Sequence, residues 1–114
     1  MNVHYLEIIA EDAAAHCRLL ETLHSVTFSE PVAELGGAKV ARMADGTQVG
    51  VREPMHETEK PCVRPYYLTK DIEGAIKKVE GLGAVIAHAP MEIPGRGSFA
   101  IYILNGIMEG LWQL

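Results

Sequence analysis

Arg64-Pro65-Tyr66-Tyr67-Leu68-Thr69-Lys70-Asp71-Ile72-Glu73-Gly74-Ala75-Ile76-Lys77-Lys78-Val79-Glu80-Gly81-Leu82-Gly83 decides the fold, because its hydrophobic period changes at one residue. Before Asp71 the aromatic and aliphatic residues read as a strand; after it Ile72, Ala75, Ile76, Val79 and Leu82 recur at helical spacing. Asp71 is a natural N-cap, since its carboxylate can accept from the first orphan amides, and Gly83 is a natural stop. The same change of period occurs 59 positions earlier. Val3-His4-Tyr5-Leu6-Glu7-Ile8-Ile9 precedes Asp12, and Ala13, His16, Cys17, Leu20 and Leu23 follow it on one helical face.

The correspondence runs on. Pro31 falls on Pro90 and Gly36 on Gly95, predicting a short second strand near 26–28 in one half and 85–87 in the other. A one-residue insertion then shifts the offset to 60, which aligns Asp45-Gly46 with Asn105-Gly106 and Gly50 with Gly110. Asp-Gly and Asn-Gly favour the type I′ hairpin turn, where both central residues need positive φ. The third and fourth strands are expected near 38–43 and 47–52, and near 98–103 and 107–113. The order is βαβββ, twice: an α+β chain with module one at 1–52, a proline-bounded polar linker at 53–61, and module two at 62–114.

Hydrophobic residues make up 48% and charged residues 22% of the 114, so the chain can bury a core. Ten Lys plus Arg against fifteen Asp plus Glu gives a net charge of −5, the wrong sign for binding phosphate backbones or anionic lipid, and nucleic acid is not an expected partner. No apolar run is long enough to cross a bilayer, and the first residues lack a basic start and an apolar stretch, so the expected location is the cytoplasm. Cys17 and Cys62 lack the paired spacing of metal or redox motifs and are expected to be free thiols. No serine sits in a nucleophile-elbow setting, and Gly95-Arg96-Gly97 is too short to cradle a phosphate.

Three segments carry a family resemblance: Leu68-Thr69-Lys70-Asp71-Ile72-Glu73-Gly74-Ala75, Ile93-Pro94-Gly95-Arg96-Gly97-Ser98-Phe99-Ala100 and Gly106-Ile107-Met108-Glu109-Gly110-Leu111-Trp112. With the repeat, they resemble the small glyoxalase-like branch of the vicinal oxygen chelate superfamily, the fold of glyoxalase I, bleomycin-resistance proteins, fosfomycin-resistance enzymes and extradiol dioxygenases. The resemblance implies two modules about a pseudo-twofold axis, their sheets curled around a cleft, commonly with a divalent metal held by His and Glu. It also implies that the ligand positions of this chain are Tyr5, Gly50, Arg64 and Gly110. None is His, Glu, Asp or Cys, so no metal cofactor is expected. His4 and Glu109 each lie one residue away, and a shifted site would need a bulge in each strand.

Alternation along the strands assigns Tyr5, Glu7, Ile9, Arg64, Tyr66 and Leu68 to the cleft face from the first strands. Gln48, Gly50, Arg52, Met108, Gly110 and Trp112 join them from the last strands. The candidate ligand-binding set is therefore Tyr5, Glu7, Gln48, Arg52, Arg64, Tyr66, Met108 and Trp112. Glu7 can act as an acid or base, hold a cationic ligand group, or form an ion pair with Arg64 or Arg52. Arg64 can grip a ligand carboxylate or phosphate, or neutralise Glu7. Trp112 and Tyr66 can stack on a ligand or simply fill the sheet. His56 and His88 are the histidines with loop freedom, while His16 and His24 belong to the first helix.

The expected function is binding of a small organic molecule by a homodimer without a metal. The alternative is a lyase, isomerase or dioxygenase-type enzyme of the same superfamily, either metal-dependent through a shifted site or metal-free with Glu7 as the acid/base.

Overall fold

A computed structural model describes all residues 1–114 and shows an α+β protein of two helices and seven strands. The chain forms two compact units, one of Tyr5–Val63 and one of Met1–His4 with Arg64–Leu114.

β1 (Val3–Ile9), which enters the first unit at Tyr5, leads to α1 (Ala13–His24), and after a 3₁₀ turn at Ala33–Leu35 the chain returns through β2 (Lys39–Arg42) and β3 (Gln48–Arg52). β1 lies parallel to β3, with Glu7 opposite Gly50, and β2 is antiparallel to β3. Asp12 caps α1 by accepting from the Ala15 amide at 3.0 Å. Leu6, Ile8, Val49 and Val51 face the helix and pack with Cys17 and Leu20. Burial in this core pushes the Cys17 thiol up from its ordinary value. The alternate positions Tyr5, Glu7, Ile9, Gly50 and Arg52 lie on the helix-distal face and are also buried.

In the second unit β4 (Cys62–Leu68), α2 (Ile72–Gly81), β5 (Val85–Ile93), β6 (Gly97–Leu104) and β7 (Ile107–Gln113) give the full βαβββ order. β4 is parallel to β7, and β7–β6–β5 are antiparallel. Ile72 and Ile76 of α2 pack on Ala100, Tyr102 and Leu111. The first amides of α2 are met by Asp71, which accepts from Gly74 at 3.0 Å, and by Gln113, whose Oε1 accepts from Ile72 at 2.7 Å.

Two expectations are corrected. No strand forms near 26–28. The Val40 amide donates to the Ser29 hydroxyl at 3.1 Å rather than to a backbone carbonyl, and the Phe28 amide donates to the Glu21 carboxylate at 3.1 Å. Side chains thus take over part of the pairing that would have built a ladder, while the Ser29 amide still donates to the Val40 carbonyl at 2.9 Å. The matching strand β5 is correspondingly longer than expected and carries His88 within it, between two register shifts. The second correction is the first hairpin. Asn105 and Gly106 both have positive φ, as a type I′ turn requires, but in the first hairpin Gly46 has positive φ (92°) while Asp45 does not. Ala44-Asp45-Gly46 is a three-residue loop closed by Met43–Thr47 bonding, a geometry that asks for a left-handed residue only at its last position. The Asp45 carboxylate accepts from the Thr47 amide at 2.9 Å and completes the turn.

Candidate functional site

Arg52, at the end of β3, is the charged centre of the first unit and is 5% exposed. Its Nε donates to Glu7 Oε2 at 2.9 Å, and its Nη1 and Nη2 donate to the two oxygens of Glu59 at 2.7 and 2.9 Å. Nη1 also reaches the Glu53 carbonyl at 3.2 Å, and Glu59 accepts from the Met55 amide at 2.8 Å. Of the roles open to Glu7, the ion pair with Arg52 is therefore formed. The 53–61 segment is not a slack tether: Glu59 folds it back onto the guanidinium, which a side-by-side pair of N–H···O bonds suits geometrically. These bonds hold the Glu59 carboxyl near 2, well below its ordinary 4.5, and push the Arg52 guanidinium up.

Because the folded value is depressed, the stabilisation is fully present above about pH 4.5 and is lost as pH falls toward about 2. Glu59→Gln should flatten the acid limb of the stability curve between those values, as measured by denaturant melts at successive pH.

The glycines at the last-strand ligand positions have a clear use. A Cβ on Gly50 would overlap the Tyr5 hydroxyl, and a Cβ on Gly110 would overlap the Tyr66 ring. Each glycine lets a tyrosine of its own unit lie flat across the strand. Tyr5 and Tyr66, 3% and 4% exposed, occupy the space over the two glycines. Arg64, also buried, brings a cationic group to a third of the four positions.

On the helix-distal face of the second unit Tyr66 meets Trp112 and Phe99 edge-on, with centroids 5.9 and 6.2 Å apart. His88 lies over Phe99 at 4.6 Å, and His4 lies against Trp112 at 5.3 Å. The Trp112 indole donates to the Arg96 carbonyl at 2.8 Å, anchoring the β5–β6 turn. Leu68 and Met108 on the same strand faces remain 38% exposed. Phe99 escaped the sequence reading because only the first and last strands were assigned to the cleft; its register opposite Trp112 is the signal that places it there. Glu59 had no such signal, since its partnership spans a loop without periodicity.

Among the other candidates, Gln48 ends half-buried at the start of β3, and His56 is tied to Thr58 at 2.7 Å within the linker. Glu109 points to the helix side of the sheet, where it accepts from Tyr67 and Tyr102, each at 3.0 Å. Desolvation and that carboxylate push the Tyr102 phenol up to about 12. Glu109 and His4 thus do not share a face of the second unit, and a shifted ligand pair is not formed there. No three His, Cys, Asp or Glu side chains are grouped so as to hold a metal ion. At the positions where the resemblance implies metal ligands, a tyrosine ring fills the space over Gly50 in the one unit and over Gly110 in the other, and Arg64 carries a charge that a cation would repel.

No protein-family model and no curated protein matches the sequence. Among solved structures, a hypothetical protein of Bacillus halodurans C-125 superposes with a TM-score of 0.74 at 13% identity, over 99% of this chain and 94% of that one. A variant of Streptomyces coelicolor methylmalonyl-CoA epimerase in complex with 2-nitronate-propionyl-CoA gives 0.72 at 13% identity, over 99% and 96%. The Mycobacterium tuberculosis methylmalonyl-CoA epimerase gives 0.73 at 9% identity, over 97% and 86%. The chain has the glyoxalase-like α+β fold of these proteins.

Proposed function

We propose that the protein binds a small organic anion on the helix-distal face of the second unit, without a metal. The observation that carries this reading is the grouping of Tyr66, Phe99, Trp112 and His88 on the sheet face that also bears Arg64. Rings offer flat apolar surface, and a guanidinium offers a forked donor for a carboxylate or phosphate. Structural neighbours crystallised with 2-nitronate-propionyl-CoA and with methylmalonyl-CoA support a ligand of that type.

The epimerase neighbours also favour a second reading, an isomerase in which Glu7 moves a proton and Arg52 fixes the orientation of its carboxylate. The two readings share the fold but differ in turnover. A cytoplasmic homodimer is part of both, and sedimentation at micromolar concentration should give twice the monomer mass of 12.4 kDa.

Incubating the protein with a metabolite extract and identifying retained compounds by mass spectrometry tests the binding reading. Arg64→Ala should weaken the retained anion by about 2–5 kcal/mol, the usual cost of removing a desolvated charged partner. Retention unchanged by that substitution would reject the assignment. Conversion of the retained compound, abolished in Glu7→Gln, would favour the isomerase. Elemental analysis of protein purified without added metal should show no stoichiometric zinc, nickel, iron or manganese.

A further inference from the structure

The two units differ on the helix side. In the second, Ile86 and Leu104 pack beneath α2 against the core. At offsets of 59 and 60 their counterparts in the first unit are Thr27 and Ala44, both smaller, and the strand that would carry Thr27 is absent. Ala44 lines a groove of about 450 Å³ between the end of α1 and the β2–β3 hairpin. Leu6, Leu20, Met43 and Val49 form its floor, and His24, Asp45 and Thr47 stand at its rim.

The groove is apolar below and negative at one end. α1 finishes at His24, so the unsatisfied carbonyls of its last turn gather there, carrying the negative pole of the helix. Asp45 adds a full charge at the same rim, held in place by the Thr47 amide. That hydrogen bond keeps its carboxyl below the ordinary range, and hence ionised at neutral pH. The volume lies within the range of small-molecule sites, and the pattern of apolar floor and one polar end is that of an amphiphile pocket.

We propose that this groove binds small apolar ammonium compounds, with an alkyl or arylalkyl body on Leu20, Met43 and Val49 and the charged nitrogen beside Asp45 and the end of α1. The site lies wholly within the first unit, Tyr5–Val63.

Three probes of one length separate the contributions: hexylammonium, hexanol and hexanoate, titrated while the methyl resonances of Leu6, Leu20, Met43 and Val49 are followed. Hexylammonium should give saturating shifts, hexanol should bind at least tenfold more weakly, and hexanoate should give none. Asp45→Asn should weaken hexylammonium at least fivefold without changing the melting temperature, because an asparagine Oδ1 accepts the same Thr47 bond and suits the turn. Ala44→Leu, which supplies the side chain the second unit has at Leu104, should fill the groove and abolish the shifts. Saturating shifts from hexanoate equal to those from hexylammonium, or no saturation by hexylammonium in the wild-type protein, would overturn the proposal.

Discussion

Arg52→Ala should lower the stability of the protein by about 3–5 kcal/mol, the range measured when one member of a buried ion pair is removed. The guanidinium serves two carboxylates whose side chains are 9% and 15% exposed, Glu7 and Glu59, so its loss strands negative charge in surroundings that solvate it poorly. Urea melts at pH 7 measure the loss. If charge desolvation is the cause, Arg52→Met combined with Glu7→Gln and Glu59→Gln should recover much of it, since an apolar or neutral replacement of the whole cluster has no charge left to bury. The 53–61 segment supplies a second readout. Met55 is held through Glu59, so its amide should exchange much faster in Arg52→Ala than in the wild type. A variant that melts within about 1 kcal/mol of the parent, with Met55 still protected, would mean that the cluster is dispensable.

Gly110→Val should cost about 3 kcal/mol or more, at the upper end of overpacking effects, because its Cβ would lie inside the Tyr66 ring and the β4–β7 ladder leaves the backbone little freedom to move aside. Gly50→Val should behave likewise against Tyr5, with a difference that tests the geometry. The Gly50 Cβ meets the hydroxyl end of its tyrosine, whereas the Gly110 Cβ meets the ring close to its attachment. Tyr5→Leu should therefore rescue Gly50→Val substantially. Tyr66→Leu should rescue Gly110→Val less, because the leucine branch still occupies the space next to β7. Thermal melts of the four single variants and two double variants give the coupling energies, which should be positive and largest for the Tyr5–Gly50 pair. Additive effects would show that each tyrosine can turn away from its glycine.

The sequence by itself determined the elements whose information is local. Both helices start at the Asp caps read from Asp12 and Asp71, β1 and β7 have the expected bounds, and the helix-facing and helix-distal residues separate as alternation requires, because a period of 2 or 3.6 is written in the residues themselves. The helix-distal placement of Tyr5, Glu7 and Arg52 in the one unit, and of Tyr66 and Trp112 in the other, was legible for the same reason.

What the tertiary structure decided depends on partners distant in the chain. Ser29 and Glu21 satisfy amides that a strand at 26–28 would have used, so the propensity of Val26 and Phe28 is overridden. The three-residue hairpin at Asp45 follows from how β2 and β3 meet, which the dipeptide Asp-Gly alone does not specify. The partner of Glu7 was undetermined between two arginines until the fold brought β3 beside β1, and Glu59 joined them from a segment with no pattern to read. The glycines show the same division most plainly. Their alignment in the two halves is visible in the sequence, but that Tyr5 and Tyr66 fill the space above them is a matter of side-chain packing, which requires the register of paired strands and the direction of each ring.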